Sequence, residues 1–289
     1  GRMARWGRHD IGVYLNLAAA FASDRTPEVI GDIAGRIGSV LADIAHQDQR
    51  PAFEAWIRKQ FRPALDAIGV TPKPGDSDDI HALRGTLLQL LSSDADLQRQ
   101  ARTLVERYFD DPASLPPTLV SAMLQVAAAG GDAPLYDRYL ARMQASLSTP
   151  EEYYRYFNAL AAFRTPALRA RTMELALSKE VRTQDTSILL AQLLTSRSGQ
   201  DEAWAYIKGH WPAVVDKVGS FQGMPTLAGA LAAFCSADKS ADIKAFFDAH
   251  PLPEVARTLQ QTYERIATCI AVDARQSPAF TRWLAESAQ

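Results

Sequence analysis

The stretch TPEVIGDIAGRIGSVLADI, residues 26–44, sets Ile30, Ile33, Ile37, Val40 and Ile44 at steps of three and four. That spacing lines apolar side chains along one face of an α-helix. The same rhythm recurs outward in both directions. It runs through Phe53, Trp56, Phe61, Leu65 and Ile68, then Ile80, Leu83, Leu87 and Leu91, then Leu97, Ala101, Leu104 and Tyr108. It continues through Leu135, Tyr139 and Met143, through Tyr153, Phe157 and Leu160, and through Val255, Leu259, Tyr263, Ile266 and Ile270. No run alternates with period two long enough for a strand, so the chain reads as all-α.

Punctuation supports the helices. Thr26-Pro27, Thr149-Pro150 and Thr165-Pro166 each offer a capping hydroxyl before a proline whose missing N–H costs nothing in the first turn. Thr149 with Glu152 fits a capping box. Gly69, Gly130-Gly131, Gly199 and Gly219 mark stops, Pro63 predicts a kink, and Pro212 predicts a helix break within the series Trp204, Ile207, Trp211, Val214 and Val218. Short helices on short turns predict an irregular α-solenoid of antiparallel helix pairs, without a strict sequence repeat. The clear loop is Thr71 to Asp79, rich in Pro, Gly and Asp. It reads as a surface loop inside one domain covering 1–289.

With 47% apolar and 22% charged residues, the composition is that of an ordinary globular protein, not of a disordered chain. A formal charge of -2 supplies no concentrated positive field for nucleic acid or an anionic membrane surface. Arg2, Arg5 and Arg8 around Trp6 read as a solvated basic tail. No stretch has the length of a membrane span. Cys235 and Cys269 are far apart and read as two small buried apolar residues, with neither a disulfide framework nor a zinc cluster indicated.

Few constellations could carry chemistry. His9-Asp10-Ile11-Gly12 spells a tetrapeptide of metal-dependent phosphohydrolases, but nothing upstream could add ligands, and it reads as a coincidence of spelling. His46, His81, His210 and His250 have no histidine partner at i+4, the spacing that sets two imidazoles on one helical face. Neither a nucleophile elbow nor a cysteine with a local histidine occurs. Glu151-Glu152 suits a helix N-terminus, and the Gly130-Gly131 turn lacks the Lys-Ser/Thr of a phosphate loop. The aromatic residues Trp56, Tyr108, Tyr139, Tyr153 and Phe157 read as core.

Val181-Arg182-Thr183-Gln184-Asp185, followed by Ala203-Trp204-Ala205-Tyr206-Ile207-Lys208-Gly209-His210-Trp211-Pro212, resembles a signature of the C-terminal helical domain of zinc aminopeptidases of the aminopeptidase N type. The likeness extends from Tyr14-Leu15 to Trp283-Leu284. It takes in the proline-interrupted helix ending at Gly69, Leu83-Arg84, the turn at 128–132, and Ala159-Leu160-Ala161 before Arg164-Thr165-Pro166. The resemblance implies a bowl of HEAT- or armadillo-like helix pairs that covers a catalytic domain of the same polypeptide and controls which peptides reach its zinc. The His-Glu-x-x-His and Gly-x-Met-Glu-Asn motifs of those enzymes are missing, so the chain itself is expected to carry no catalytic residue, metal or cofactor.

Within the matching motifs the polar residues are Arg84, Arg182, Gln184 and Asp185. One expectation has Arg84 or Arg182 attracting a peptide carboxylate. The other has Arg182 and Asp185 pairing at i, i+3 or bonding helix ends. A free-standing helical scaffold that binds a protein or peptide is the alternative function. The sequence assigns no compartment.

Overall fold

A computed structural model describes residues 9–219 and 223–287. Among them the secondary structure is helical, without strands. The first six helices of the described residues are α1 (Ile11–Ala20), α2 (Pro27–Asp43), α3 (Arg50–Ile68), α4 (Asp78–Leu90), α5 (Ala95–Asp110) and α6 (Pro117–Ala129). Next come α7 (Ala133–Ala145), α8 (Pro150–Leu160), α9 (Pro166–Leu177), α10 (Thr183–Thr195), α11 (Gln200–Gly209) and α12 (Trp211–Val218). Helices α13 (Gly223–Ala230), α14 (Ala237–Ala249) and α15 (Ala256–Ser287) complete the described set. The basic residues Arg2, Arg5 and Arg8 lie outside the described residues.

Contacts divide the chain into two compact units. One comprises Gly1–Gly131 with Val272–Gln289, so residues on both sides of the Thr71–Asp79 loop belong to it. Here α5 packs on α6, and α4 contacts α2, α3 and α6. Phe53, Trp56, Phe280 and Trp283 fill its core, with the Phe53 and Phe280 rings 5.1 Å apart edge to face and those of Trp56 and Trp283 5.0 Å apart. Such edge-to-face contacts place the positive rim of one ring on the negative face of another.

The other unit is Asp132–Ala271. Its sequentially remote side-chain bonds share a narrow range of separations. Tyr136 meets Thr172 (36 residues on), Arg171 donates to Asp137 (34), Gln192 to Asn158 (34), Arg169 to Glu202 (33), Lys208 to Asp242 (34) and Thr262 to Ala228 O (34). A step of that size is two helices and their turns, so each helix pair bonds mainly to the next.

Three expectations need correction. Thr26, Thr149 and Thr165 occupy the N-cap positions, but none of their hydroxyls makes a cap bond, and Glu152 turns to Arg155 instead of closing a capping box. The prolines that follow already remove one orphan donor from each first turn. Side-chain caps form at Ser77, Asp94, Asp132 and Ser236 instead. Of the glycine stops, Gly69 and Gly219 take positive φ (82° and 68°), while Gly130 stays at -107° and Gly199 begins α11 at -135°. Finally, Cys235 and Cys269 form a disulfide, their Cα atoms 5.4 Å apart. They are 34 residues apart, the helix-pair step, and without a sequence repeat that proximity left no local trace.

Candidate functional site

Arg84 lies on α4 and is fully buried. Its guanidinium donates from Nε to Gly69 O at 2.9 Å and from Nη2 to Ile68 O at 3.2 Å, and it pairs with Asp76. These carbonyls are orphans of the α3 C-terminus, where Gly69 turns the chain away. The hydrogen bond from the Lys73 backbone N–H, with a further one from Arg84, holds the Asp76 carboxyl below the usual carboxylate range. Arg84 thus fastens the proline-rich loop to two helices and exposes no donor to a peptide.

The other three candidates open α10 in the second unit. Arg182 is exposed, donates from Nη2 to Leu147 O at 2.9 Å and lies over the Tyr153 ring at 5.0 Å. Asp185 does not pair with it. Asp185 is buried and accepts instead from Tyr154 Oη at 2.9 Å, while its Oδ2 and the Tyr153 hydroxyl are buried without hydrogen-bond partners. Burial first, and then the negative charge of Asp185, pushes the Tyr153 phenol up to about 12. Gln184 is exposed on the first turn. The structure therefore gathers Arg182 and Asp185 around Tyr153 and Tyr154, and leaves Arg84 in the other unit.

Residues that the motifs did not mark stand out elsewhere. On α1 and its C-cap, Val13, Leu17 and Phe21 are exposed at 59%, 55% and 45%, and their i, i+4, i+8 spacing sets them on one face. Beside them a groove of about 380 Å³ is lined by Tyr14, Leu17, Phe21, Glu28, Val29 and Asp32, among others. Burial, and the nearby Asp32, raise the Tyr14 phenol to about 12. A second apolar stripe on a short helix was the signal available in the sequence.

His9-Asp10-Ile11-Gly12 has a packing explanation. The Ile11 N–H donates to Gln276 Oε1 at 2.9 Å, and a Cβ on Gly12 would lie 2.8 Å from Trp283 Cδ1. Among the described residues, no group of three or more His, Cys, Asp or Glu side chains could hold a metal ion. Nor, among them, is any helix long and apolar enough to cross a membrane.

Residues 1–268 match the family model described as the ERAP1-like C-terminal domain. The chain belongs to this family. The ERAP1-like C-terminal domain is 26% identical over 275 residues to aminopeptidase M1 of Arabidopsis thaliana, covering 91% of this chain and 31% of the relative. It is 26% identical over 270 residues to aminopeptidase M1-C of Oryza sativa subsp. japonica, covering 87% and 30%. Against aminopeptidase N of Lactococcus lactis subsp. cremoris it is 25% identical over 249 residues, covering 82% and 29%. The ERAP1-like C-terminal domain thus spans about a third of the length of these curated relatives.

Proposed function

We propose that this chain is the non-catalytic C-terminal domain of a zinc aminopeptidase, and that it covers the active-site chamber and controls which peptides enter while another part of the polypeptide removes N-terminal residues. The family match over residues 1–268 carries the reading, and the names of the relatives supply the activity. The missing His-Glu-x-x-His supports placing zinc and the catalytic base outside these residues. Bonds at the helix-pair step support an irregular solenoid.

The partner within the polypeptide is its catalytic domain, and the exposed Val13, Leu17 and Phe21 face supports a surface for it on α1. Peptide substrates meet Arg182 and Gln184, which stand exposed, whereas Arg84 and Asp185 serve packing. The test is the hydrolysis of chromogenic aminoacyl substrates by the 289-residue chain with zinc added. No release is expected; robust zinc-dependent release overturns the reading.

A further inference from the structure

We propose that the Cys235–Cys269 disulfide is the working state of the protein, that it clamps α14 into the second unit, and that the protein therefore acts in an oxidising compartment. Both cysteines of the sequence are used, and none is left free. Cys235 sits in the connector just before Ser236, the N-cap of α14, and Cys269 sits one turn beyond the buried Ile266 on α15. The bond closes a loop containing α14, the short turn Pro253–Val255 and the first part of α15.

Helix α14 is the element in need of such a clamp. It buries only Ile243 and Phe247, whereas α10, also 13 residues long, buries seven residues. The part-exposed Phe246 adds edge-to-face ring contacts to Trp204 at 5.1 Å and Trp211 at 5.0 Å, and the rest of the hold on α14 is polar and half-exposed. Asp242 accepts from Trp204 Nε1 at 2.7 Å and from Lys208 at 2.7 Å, and Lys239 pairs with Asp201 at 2.7 Å. Exposed ion pairs contribute little, because water screens them. A covalent link across one helix-pair step instead removes open conformations from the unfolded chain.

Both cysteines are partly exposed, so they can undergo thiol–disulfide exchange. The thiolate of one attacks a small-molecule or protein disulfide, forms a mixed disulfide and releases one thiol. The second cysteine, deprotonated, then attacks the mixed disulfide and releases the other thiol. Two protons leave the cysteines, and their two electrons reduce the oxidant to its dithiol form. Such bonds persist in oxidising compartments and are rare where glutathione keeps thiols reduced.

The experiment has three arms on the 289-residue chain and one on its source cells. In oxidised glutathione buffer, denaturing maleimide labelling should find no thiol, and two after reduction. Reduction should lower the unfolding midpoint of the second unit by about 10 °C, and should speed hydrogen exchange in α14 while leaving α1 to α6 unchanged. A Cys235→Ser/Cys269→Ser variant should melt with the reduced wild-type chain. Maleimide trapping in source cells before lysis should find the pair already blocked. Two free thiols in oxidised glutathione, two free thiols in the source cells, or coincident melts of the oxidised and reduced chains would each overturn the proposal. If the variant does not fold, the two redox states of the wild-type chain decide alone.

Discussion

Tyr154 Oη donates to Asp185 Oδ1 at 2.9 Å, and this is the bond that anchors the first turn of α10 to α8. Its neighbour Tyr153 brings a buried hydroxyl to the same carboxylate outside hydrogen-bond geometry, yet near enough for Asp185 to raise its phenol. Removing the bonded hydroxyl leaves a buried carboxylate without its donor, whereas removing the unpartnered one deletes a desolvated polar atom. Tyr154→Phe should therefore destabilise the second unit by about 1–3 kcal/mol, and Tyr153→Phe should be neutral or slightly stabilising. Urea unfolding of the two variants checks the order; equal losses would refute it.

The raised phenols of Tyr14 and Tyr153, both at about 12, make stability fall in alkali. Below the unfolded value near 10, both states hold the proton and the contribution is fully present. Between about 10 and 12 the unfolded chain releases protons that the folded chain keeps, so stability drops with rising pH. Burial also raises Tyr136, Tyr206 and Tyr263, so phenolate absorbance at 295 nm should show a late-titrating group of tyrosines, and Tyr153→Phe should remove one tyrosine from it. Titration of every tyrosine near 10 would contradict this.

Two glycines in unit 1 should respond in opposite senses to alanine. At Gly12 the new methyl meets the Trp283 ring at 2.8 Å, and that ring is held by its Nε1 bond to Asn16 at 2.8 Å. Overpacking should outweigh the gain in helix propensity, for a net loss of about 1–2 kcal/mol. Gly35 is exposed on α2 with nothing within 4 Å, so Gly35→Ala should gain about 0.5–1 kcal/mol. Thermal melts of the two variants provide the comparison.

The helical class was legible because burial of one face writes a three-four rhythm into sequence, and Ile30, Ile33, Ile37 and Val40 are all buried. The breaks were legible too: Pro212 lies in the first turn of α12, directly after α11 ends at Gly209. The site was much less so. Arg84 reads as a free cation in sequence because two of its acceptors are backbone carbonyls, which carry no residue identity, and the third, Asp76, lies eight residues upstream in the loop. Asp185 looked like a partner for Arg182 at i+3, but Tyr154, 31 residues earlier, reaches it first. The disulfide was hidden for the same reason: long-range pairing follows the helix-pair step, not a local pattern.

Exposed positions separate packing from recognition. Arg182→Ala removes a guanidinium bonded to one carbonyl, so the stability of the isolated chain should change by about 1 kcal/mol or less. In the whole enzyme it should raise KM for long peptides and leave hydrolysis of single aminoacyl substrates unchanged. An equal effect on both substrates would remove Arg182 from peptide contact.

The central claim is that these residues are one domain of a larger aminopeptidase, not a free-standing scaffold. An immunoblot of the source cell with an antibody against this chain measures the mass of the native polypeptide. The account predicts a species far above the 31.7 kDa of the chain, matching the relatives of which it spans about a third. A dominant species near 31.7 kDa would contradict it.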